Sequence, residues 1–347
     1  MSQSADNIPS NETLSILVPF RNEFENLPKL FSSLLALNHR HFEVVFIDDH
    51  SEDEGLKLLQ KLIVENERLD IRFSIIQNRG QGKKEAIETG IHTAIGEIVL
   101  TTDADCLLPS NWIEAYLVSF KDRNIQFLAG PVMSREQSNY LEVFQQIEWG
   151  SILLLTQYGF ALDKPFMCSA ANMGYRKEAF LKVGAYTGNK AYLSGDDEFL
   201  LKKITQAYGG GATGYLQGNM VWTKAESTWK MLYGQRARWA SKWRLHASFS
   251  HALLALIPFL IQLFFLGSLA LCSLGWLGLL VFFYLWSVKI LIERKVLGRV
   301  LKDFGLHHKI KYYFLTSICH PFYVLNVGMQ AAFGKIQWKG RNSTQFN

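Results

Sequence analysis

Several short stretches of this 347-residue chain carry acids at spacings that could do chemistry. The most informative is Gly96-Glu97-Ile98-Val99-Leu100-Thr101-Thr102-Asp103-Ala104-Asp105, an apolar β-type run that ends in two carboxylates separated by one small residue. Side chains alternate faces along a strand, so Asp103 and Asp105 are expected on one side and Ala104 on the other. Two like charges at the mouth of a buried strand repel unless a cation lies between them. Hard ions such as Mg2+ or Mn2+ take oxygen ligands and bridge carboxylates to substrate phosphates. The same Asp-x-Asp is also what a solvated strand end looks like before the Leu108-Pro109 turn, so the remaining stretches decide.

Two others have a similar character. Asp48-Asp49-His50-Ser51 ends an apolar run over 42–47, and Ser194-Gly195-Asp196-Asp197-Glu198 sets three acids before a helical pattern over 199–207. Gly80-Gln81-Gly82-Lys83-Lys84 opens another helix. A helix N-terminus offers N–H groups and lysine adds a point charge, which suits a phosphate; a flexible turn before a basic helix start is the alternative. Acids in a first helical turn also complement the helix dipole on their own account. No Gly-x-Gly-x-x-Gly follows the first strand and no Gly-x-x-x-x-Gly-Lys-Ser/Thr loop occurs, so the dinucleotide and P-loop fingerprints are missing. Cys106, Cys168, Cys272 and Cys319 are widely spaced and read as reduced packing residues, supporting neither a zinc site nor a disulfide framework.

Bringing such acids to one place requires alternating strands and helices, and the pattern supplies them. Residues 14–20 read as a strand closed by Pro19-Phe20, followed by helical spacing of Leu27, Leu30, Leu34 and Leu35. Strands are expected over 42–47, 71–76 and 97–102, and helices over 52–67 and 83–94. This order predicts an α/β fold: a mostly parallel sheet with helices on both faces. Ligands of such sheets lie beyond the carboxyl ends of the strands, where Asp48, Asp49, Asp103 and Asp105 all fall. Further on, an aromatic, Leu-rich helix is expected over 141–158, then a short strand leading into a helix around 168–176.

Charge divides the chain. Residues 1–228 carry 21 basic and 29 acidic side chains, whereas 229–347 carry 15 basic and 2 acidic ones. The acidic front argues against a nucleic-acid groove, and basic clusters flanking apolar runs match the cytoplasmic edge of a membrane. Trp229, Tyr233, Trp239 and Trp243 recur with Lys230, Arg236, Arg238, Lys242 and Arg244 between them, which suits a helix at headgroup level. Residues 251–288 form a run of 38 without Asp, Glu, Lys or Arg, too long for one span of about 20 residues and right for two. A hairpin turning near Ser273-Leu274-Gly275 is expected, with Lys289, Arg294, Lys295, Arg299 and Lys302 returning the chain to the cytoplasm. A third apolar segment is interrupted by His320-Pro321 and Asn326. A full span would carry the basic tail Lys335, Lys339 and Arg341 outside, so a broken, re-entrant or interfacial segment is preferred.

Together these residues resemble the inverting family 2 glycosyltransferases of the GT-A fold, the group that includes the cellulose synthase and hyaluronan synthase catalytic domains. Leu17-Val18-Pro19-Phe20-Arg21-Asn22-Glu23 looks like that family's opening strand, and Ile47-Asp48-Asp49-His50-Ser51-Glu52-Asp53 like its nucleoside-binding turn. Gly82-Lys83 resembles its nucleotide-approaching lysine, and Asp103-Ala104-Asp105 its metal-binding pair. Gly195-Asp196-Asp197 is similar to the stretch supplying the catalytic base, with Asp196 where glutamate is usual. Gln235-Arg236-Ala237-Arg238-Trp239 matches the Gln-x-x-Arg-Trp motif of membrane-bound members, and Trp338-Lys339-Gly340-Arg341 resembles a tail seen in many of them.

The resemblance implies a sugar moved from a nucleoside diphosphate, a UDP-sugar, to a membrane-associated, lipid-borne or glycan acceptor with formation of a β-linkage. Asp197 would be the base and Asp105 the ligand of Mg2+ or Mn2+. Pro19, Glu23, Asp49, Lys83, Asp103, Asp196, Gln235, Arg238 and Trp239 would bind substrate. The expected organisation is a polar tail (1–12), a GT-A catalytic domain (13–228), an interfacial amphipathic helix (229–250) and a transmembrane hairpin (251–290). A basic cytoplasmic loop (291–311), a third membrane segment (312–334) and a basic tail (335–347) follow. The expected location is the cell membrane, multi-pass, with the catalytic domain cytoplasmic and its site facing the membrane surface. The N-terminus has no secretory signal pattern and no membrane helix, and the apolar region is short for an exporting polymer synthase. A short processive polysaccharide synthase and a non-catalytic membrane-anchored nucleotide-sugar-binding protein remain alternatives; three apolar segments leave too little wall for a transporter.

Overall fold

The computed structural model describes residues 13–66, 71–190, 195–241, 249–334, 337–338 and 341–342. The expected polar tail 1–12, the last residue of the helix expected over 52–67, Ser194, the 242–248 part of the interfacial helix and most of the basic tail lie outside the described residues. Two units form: one from residues up to 132, 159–190 and 196–223, the other from 133–158 and from 224 onward.

The first unit is built on β1 (Leu14–Phe20), α1 (Leu27–Leu35), β2 (Glu43–Asp48), α2 (Gly55–Glu65), β3 (Arg72–Gln77), α3 (Lys83–Thr93) and β4 (Ile98–Thr101). It continues with α4 (Trp112–Phe120), β5 (Phe127–Ala129) and β6 (Val132–Ser134), the last of which enters the second unit. After α5 (Tyr140–Ala161) come β7 (Met173–Arg176), α6 (Lys177–Lys182), α7 (Asp196–Tyr208), β8 (Thr213–Tyr215) and β9 (Val221–Thr223). Seven strands form one sheet in the order β3-β2-β1-β4-β7-β5-β8. β1, β2, β3 and β4 pair in parallel, as do β5 and β8, and only β7 runs antiparallel to its neighbours β4 and β5.

Alternation along β2 assigns the helices to faces. Val45 and Ile47 join a buried cluster with Ile87 and Ile91 of α3, Phe180 of α6 and Leu200, Leu201 and Ile204 of α7. Phe46, between them, turns to Phe73 of β3, whose ring lies 4.9 Å from Phe31 of α1. The expected mostly parallel sheet with helices on both faces is therefore present. Ile87 and Ile91 are 0% and 1% exposed, so the two together stabilise α3 on the sheet by about 3–6 kcal/mol.

Two expectations near the site are corrected. β4 stops at Thr101, so Asp103 and Asp105 lie in a turn rather than on one face of a strand; the turn is closed by Cys106 N–H donating to Asp103 O at 3.1 Å. The helix expected from Phe199 starts at Asp196, because the acids complement its N-terminal dipole and are themselves its first turn.

The second unit contains α5 through residue 158, α8 (Trp229–Ala240), α9 (Phe249–Gly267), α10 (Gly275–Asp303) and α11 (Ile310–Phe333). The hairpin turns where expected, at a 3-10 turn over Ser268–Ser273 followed by Gly275 at φ 70°, a backbone that side chains rarely adopt. Leu256–Ser273 and Gly275–Asp303 are long and apolar enough to cross a membrane. Only 11% and 17% of their apolar windows are buried, unlike the core helix of a soluble protein.

Residues 291–303 are helical rather than part of a basic loop: α10 continues to Asp303, supported by the i,i+4 pair Lys289–Glu293 at 2.7 Å. Nor is α11 broken at Pro321. A proline inside a helix costs about 3 kcal/mol, partly because the carbonyl four residues earlier loses its partner. That carbonyl, Ser317 O, accepts from Lys289 Nζ at 2.9 Å, and a bond to a charged group recovers about 1.5–3 kcal/mol. The ammonium thus replaces the missing N–H and lets the helix run on.

Candidate active site

The parallel strands β1, β2 and β4 end at one edge, with Phe20 paired to Asp48 and Leu17 to Thr101. Pro19 occupies a position of β1 beyond the last β4 partner, where no ladder N–H toward β4 is required. Glu23, in the loop before α1, accepts from Asn26 Nδ2 at 2.6 Å. Asp48 and Asp49 are 3% and 2% exposed. Asp48 Oδ1 accepts the Ser51 N–H at 3.0 Å, which makes the turn that follows β2. Asp49 accepts the Gly82 N–H at 2.9 Å and the Asn78 amide at 2.7 Å. Its carboxylate therefore fixes the loop that starts α3, with Gly82 at φ 88°, and orients Lys83.

Lys83 is where separate motifs meet. Its Nζ lies 2.5 Å from Asp103 Oδ1 and 3.2 Å from Asp196 Oδ2. Burial by itself would lower the pKa of this ammonium; the Asp103 and Asp196 carboxylates outweigh it and hold the group above the ordinary lysine value. Asp197 stands beside Asp196 in the first turn of α7, 9% exposed, with Oδ1 accepting the Glu198 N–H at 2.8 Å. The turn after β4, the start of α3 and the start of α7 thus share one charged cluster.

Asp105 is held differently. Thr223 Oγ1 donates to its Oδ2 at 3.2 Å. Thr223 ends β9, whose Trp222 forms an antiparallel bridge with Leu107 through bonds of 2.8 and 3.0 Å. Burial, aided by Asp105 and Asp103, pushes the neighbouring Cys106 thiol well above its ordinary pKa. Among the described residues no group of three His, Cys, Asp or Glu could hold a metal by itself. One carboxylate beside substrate phosphates is nevertheless the usual donor set for Mg2+, so Asp105 fits an ion whose remaining ligands come from the substrate.

Gln235, Arg238 and Trp239 lie on α8 in the second unit, and the surrounding contacts turn on Arg236. Arg236 Nε and Nη2 donate to Glu148 Oε2 at 3.0 and 2.8 Å, and Tyr323 OH donates to Glu148 Oε1 at 2.8 Å. The guanidinium also lies 4.2 Å from the Trp239 ring centre, and Trp239 packs edge-on against Trp149. Gln235 donates to Glu226 at 2.6 Å and accepts from Arg236.

Sequence reasoning missed Thr223, Asn78 and the Glu148–Arg236 pair. Nothing local marks Thr223 or Asn78. Glu148 did carry a signal: a carboxylate inside an aromatic, Leu-rich helix must find a cation or hydrogen-bond donors once buried.

Residues 15–184 match the model of glycosyl transferase family 2. The undecaprenyl-phosphate 4-deoxy-4-formamido-L-arabinose transferase of Pseudomonas syringae is 35% identical over 131 residues, 36% of this chain and 37% of that protein. The poly-beta-1,6-N-acetyl-D-glucosamine synthase of Staphylococcus aureus is 25% identical over 245 residues, 67% of this chain and 55% of that one. The chain thus spans roughly a third to just over half the length of these curated relatives. A mannosyltransferase from Pyrobaculum calidifontis, solved with GDP-Man and Mn2+, shares the fold at 14% identity with a TM-score of 0.55, covering 92% of this chain and 87% of that one.

Proposed function

The chain belongs to glycosyl transferase family 2, and from that premise we propose that it moves a sugar from a nucleoside diphosphate, a UDP-sugar, to a hydroxyl of a lipid-borne acceptor at a membrane. The observation that carries this reading is the Lys83 bridge between Asp103 and Asp196, which draws the turn bearing Asp105 and the helix bearing Asp197 to a single cation.

In this reading Pro19, Glu23 and Asp49 shape the nucleoside end, Asp49 through its hold on the Gly82 loop. An ammonium has three donors; two of those on Lys83 face carboxylates, and the third is assigned to a phosphate oxygen of the donor sugar. Asp105 would hold Mg2+ or Mn2+, which when bound supplies charge neutralisation for the departing diphosphate. Asp197 accepts the proton of the acceptor hydroxyl as that oxygen attacks the anomeric carbon from the face opposite the diphosphate. Configuration inverts, and an α-linked donor yields a β-linkage. Such general-base help supplies about 10²–10⁴-fold in rate. Gln235, Arg238 and Trp239, of the second unit, keep the substrate-binding role that the Gln-x-x-Arg-Trp resemblance gives them: an arginine can pair with phosphate oxygens and an indole offers a flat apolar face to a sugar ring.

The test is transfer from radiolabelled UDP-glucose, UDP-N-acetylglucosamine and GDP-mannose to lipid extract, with Mg2+ or Mn2+. Label in the lipid phase is expected from a UDP-sugar, and label confined to water-soluble product would sink the lipid acceptor. The likeness to a polysaccharide synthase over 67% of the chain makes a short polymer synthase the second reading, recognised by product of high mass. Asp105→Ala and Asp197→Asn should each abolish turnover in a folded protein; turnover retained by either removes its assigned role.

A further inference from the structure

The lysine after Lys83 has no part in the reading above, yet it is 5% exposed, and a buried ammonium requires a reason. Its Nζ donates to the carbonyl of Asn189 at 2.8 Å and lies 4.8 Å from the centre of the Phe199 ring. Asn189 precedes the acids Asp196 and Asp197 in the chain, and Phe199 follows them on α7. Lys84 therefore touches the chain on both sides of the proposed base.

The segment that Lys84 grips is fastened along its length. Lys203 of α7 donates to the carbonyls of Ala185 at 2.7 Å and Thr187 at 2.8 Å, and Tyr186 N–H donates to Glu88 of α3 at 3.3 Å. Lys190 pairs with Glu85 at 3.1 Å and with Glu88. Residues 185–190 are thereby stapled to α3 on one side and α7 on the other, and Lys84 reaches both the segment, at Asn189, and α7, at Phe199.

We propose that Lys84 is a positioning residue that sets the register of the Asp196-Asp197 turn by holding Asn189 and Phe199, while the adjacent Lys83 deals with the carboxylates and the donor. The assignment rests on Asp197 acting as the base. Misplacing a catalytic group by about 1 Å can cost about 10²-fold in rate, so the loss should fall on the chemical step and not on donor binding.

The test compares Lys84→Met, which keeps the stem and loses the charge, and Lys84→Gln, which keeps one donor for the Asn189 carbonyl, with the unchanged full-length protein in detergent. Turnover of the active UDP-sugar, dissociation of UDP in the presence of Mn2+, and amide hydrogen exchange over 196–208 are read for each. Lys84→Met should lose about 10²-fold in turnover with UDP affinity unchanged, Lys84→Gln should retain more turnover, and exchange should rise over 196–208 but not over β1 and β2. Wild-type turnover in Lys84→Met overturns the proposal, as does equal loss of turnover and UDP affinity. If Lys84→Met does not fold, Lys84→Gln decides by the same readings: full turnover or unchanged exchange overturns the proposal. Failure of the enzymatic reading appears elsewhere, as activity surviving Asp197→Asn, and leaves the exchange comparison to judge Lys84.

Discussion

The Lys83 ammonium lies 3.2 Å from the Asp196 carboxylate and 2.5 Å from that of Asp103. One cation from the start of α3 thus joins the turn after β4 to the first turn of the helix that carries Asp197. Without it, two carboxylates from different elements would face one another at the edge of the sheet.

Lys83→Met should therefore cost both function and stability. Turnover is expected to fall about 10²–10³-fold, as when one positioned electrostatic donor is removed. Stability should fall by about 2 kcal/mol, the scale of a charged hydrogen bond lost from a part-buried site. A lysine whose pKa is raised by folding keeps its contribution everywhere below its ordinary value and loses it only as pH climbs toward the folded one. The stability difference, read from melting curves, is accordingly expected to be flat through neutral pH.

Glu148 and Arg236 are a buried pair, with side chains 10% and 5% exposed. Removing one partner strands the other charge, at a cost of about 3–5 kcal/mol, whereas replacing both by apolar residues of similar volume is far milder. In detergent, Glu148→Leu and Arg236→Met should each lower the melting temperature strongly, and the double variant should melt above either single one. A double variant that melts as the sum of the two losses would contradict the pairing.

Lys289 and Pro321 are coupled through the carbonyl of Ser317, which the proline leaves without its helical donor and the ammonium fills at 2.9 Å. In Pro321→Ala the new N–H can take that carbonyl itself. Lys289→Met should then destabilise the Pro321→Ala background less than the natural one, with a coupling energy of about 1 kcal/mol in a double-mutant cycle. Additive effects would show that the lysine serves the Glu293 pair alone.

Glu136 supplies a pH test. Burial alone would raise its pKa, but hydrogen bonds from backbone N–H groups, that of Ala225 foremost, and the neighbouring Arg135 outweigh burial, and the carboxyl titrates below its ordinary value of 4.5. A carboxyl depressed in the folded state contributes stability above that ordinary value and loses it as pH falls through the folded one. Glu136→Gln should melt earlier than the natural protein at neutral pH, and the two curves should converge in acid. Parallel curves down to low pH would remove Glu136 as a source of acid sensitivity.

Residue order alone determined the alternation of strands and helices, the edge where Asp48, Asp49, Asp103 and Asp105 gather, and the apolar hairpin with its turn at Gly275. Each follows from local periodicity, from the rule that parallel strands end on one side, or from an uncharged run too long for a single span. Tertiary structure alone decided which charges meet. Nothing near Lys83 in the chain says that its ammonium reaches Asp196, nothing near Asp105 names Thr223, and the helix kept intact across Pro321 depends on a lysine from another helix. Pairings of this kind are chosen by burial: once a charge or an unbonded carbonyl leaves water, the nearest complementary group becomes its partner, and the fold determines which group that is.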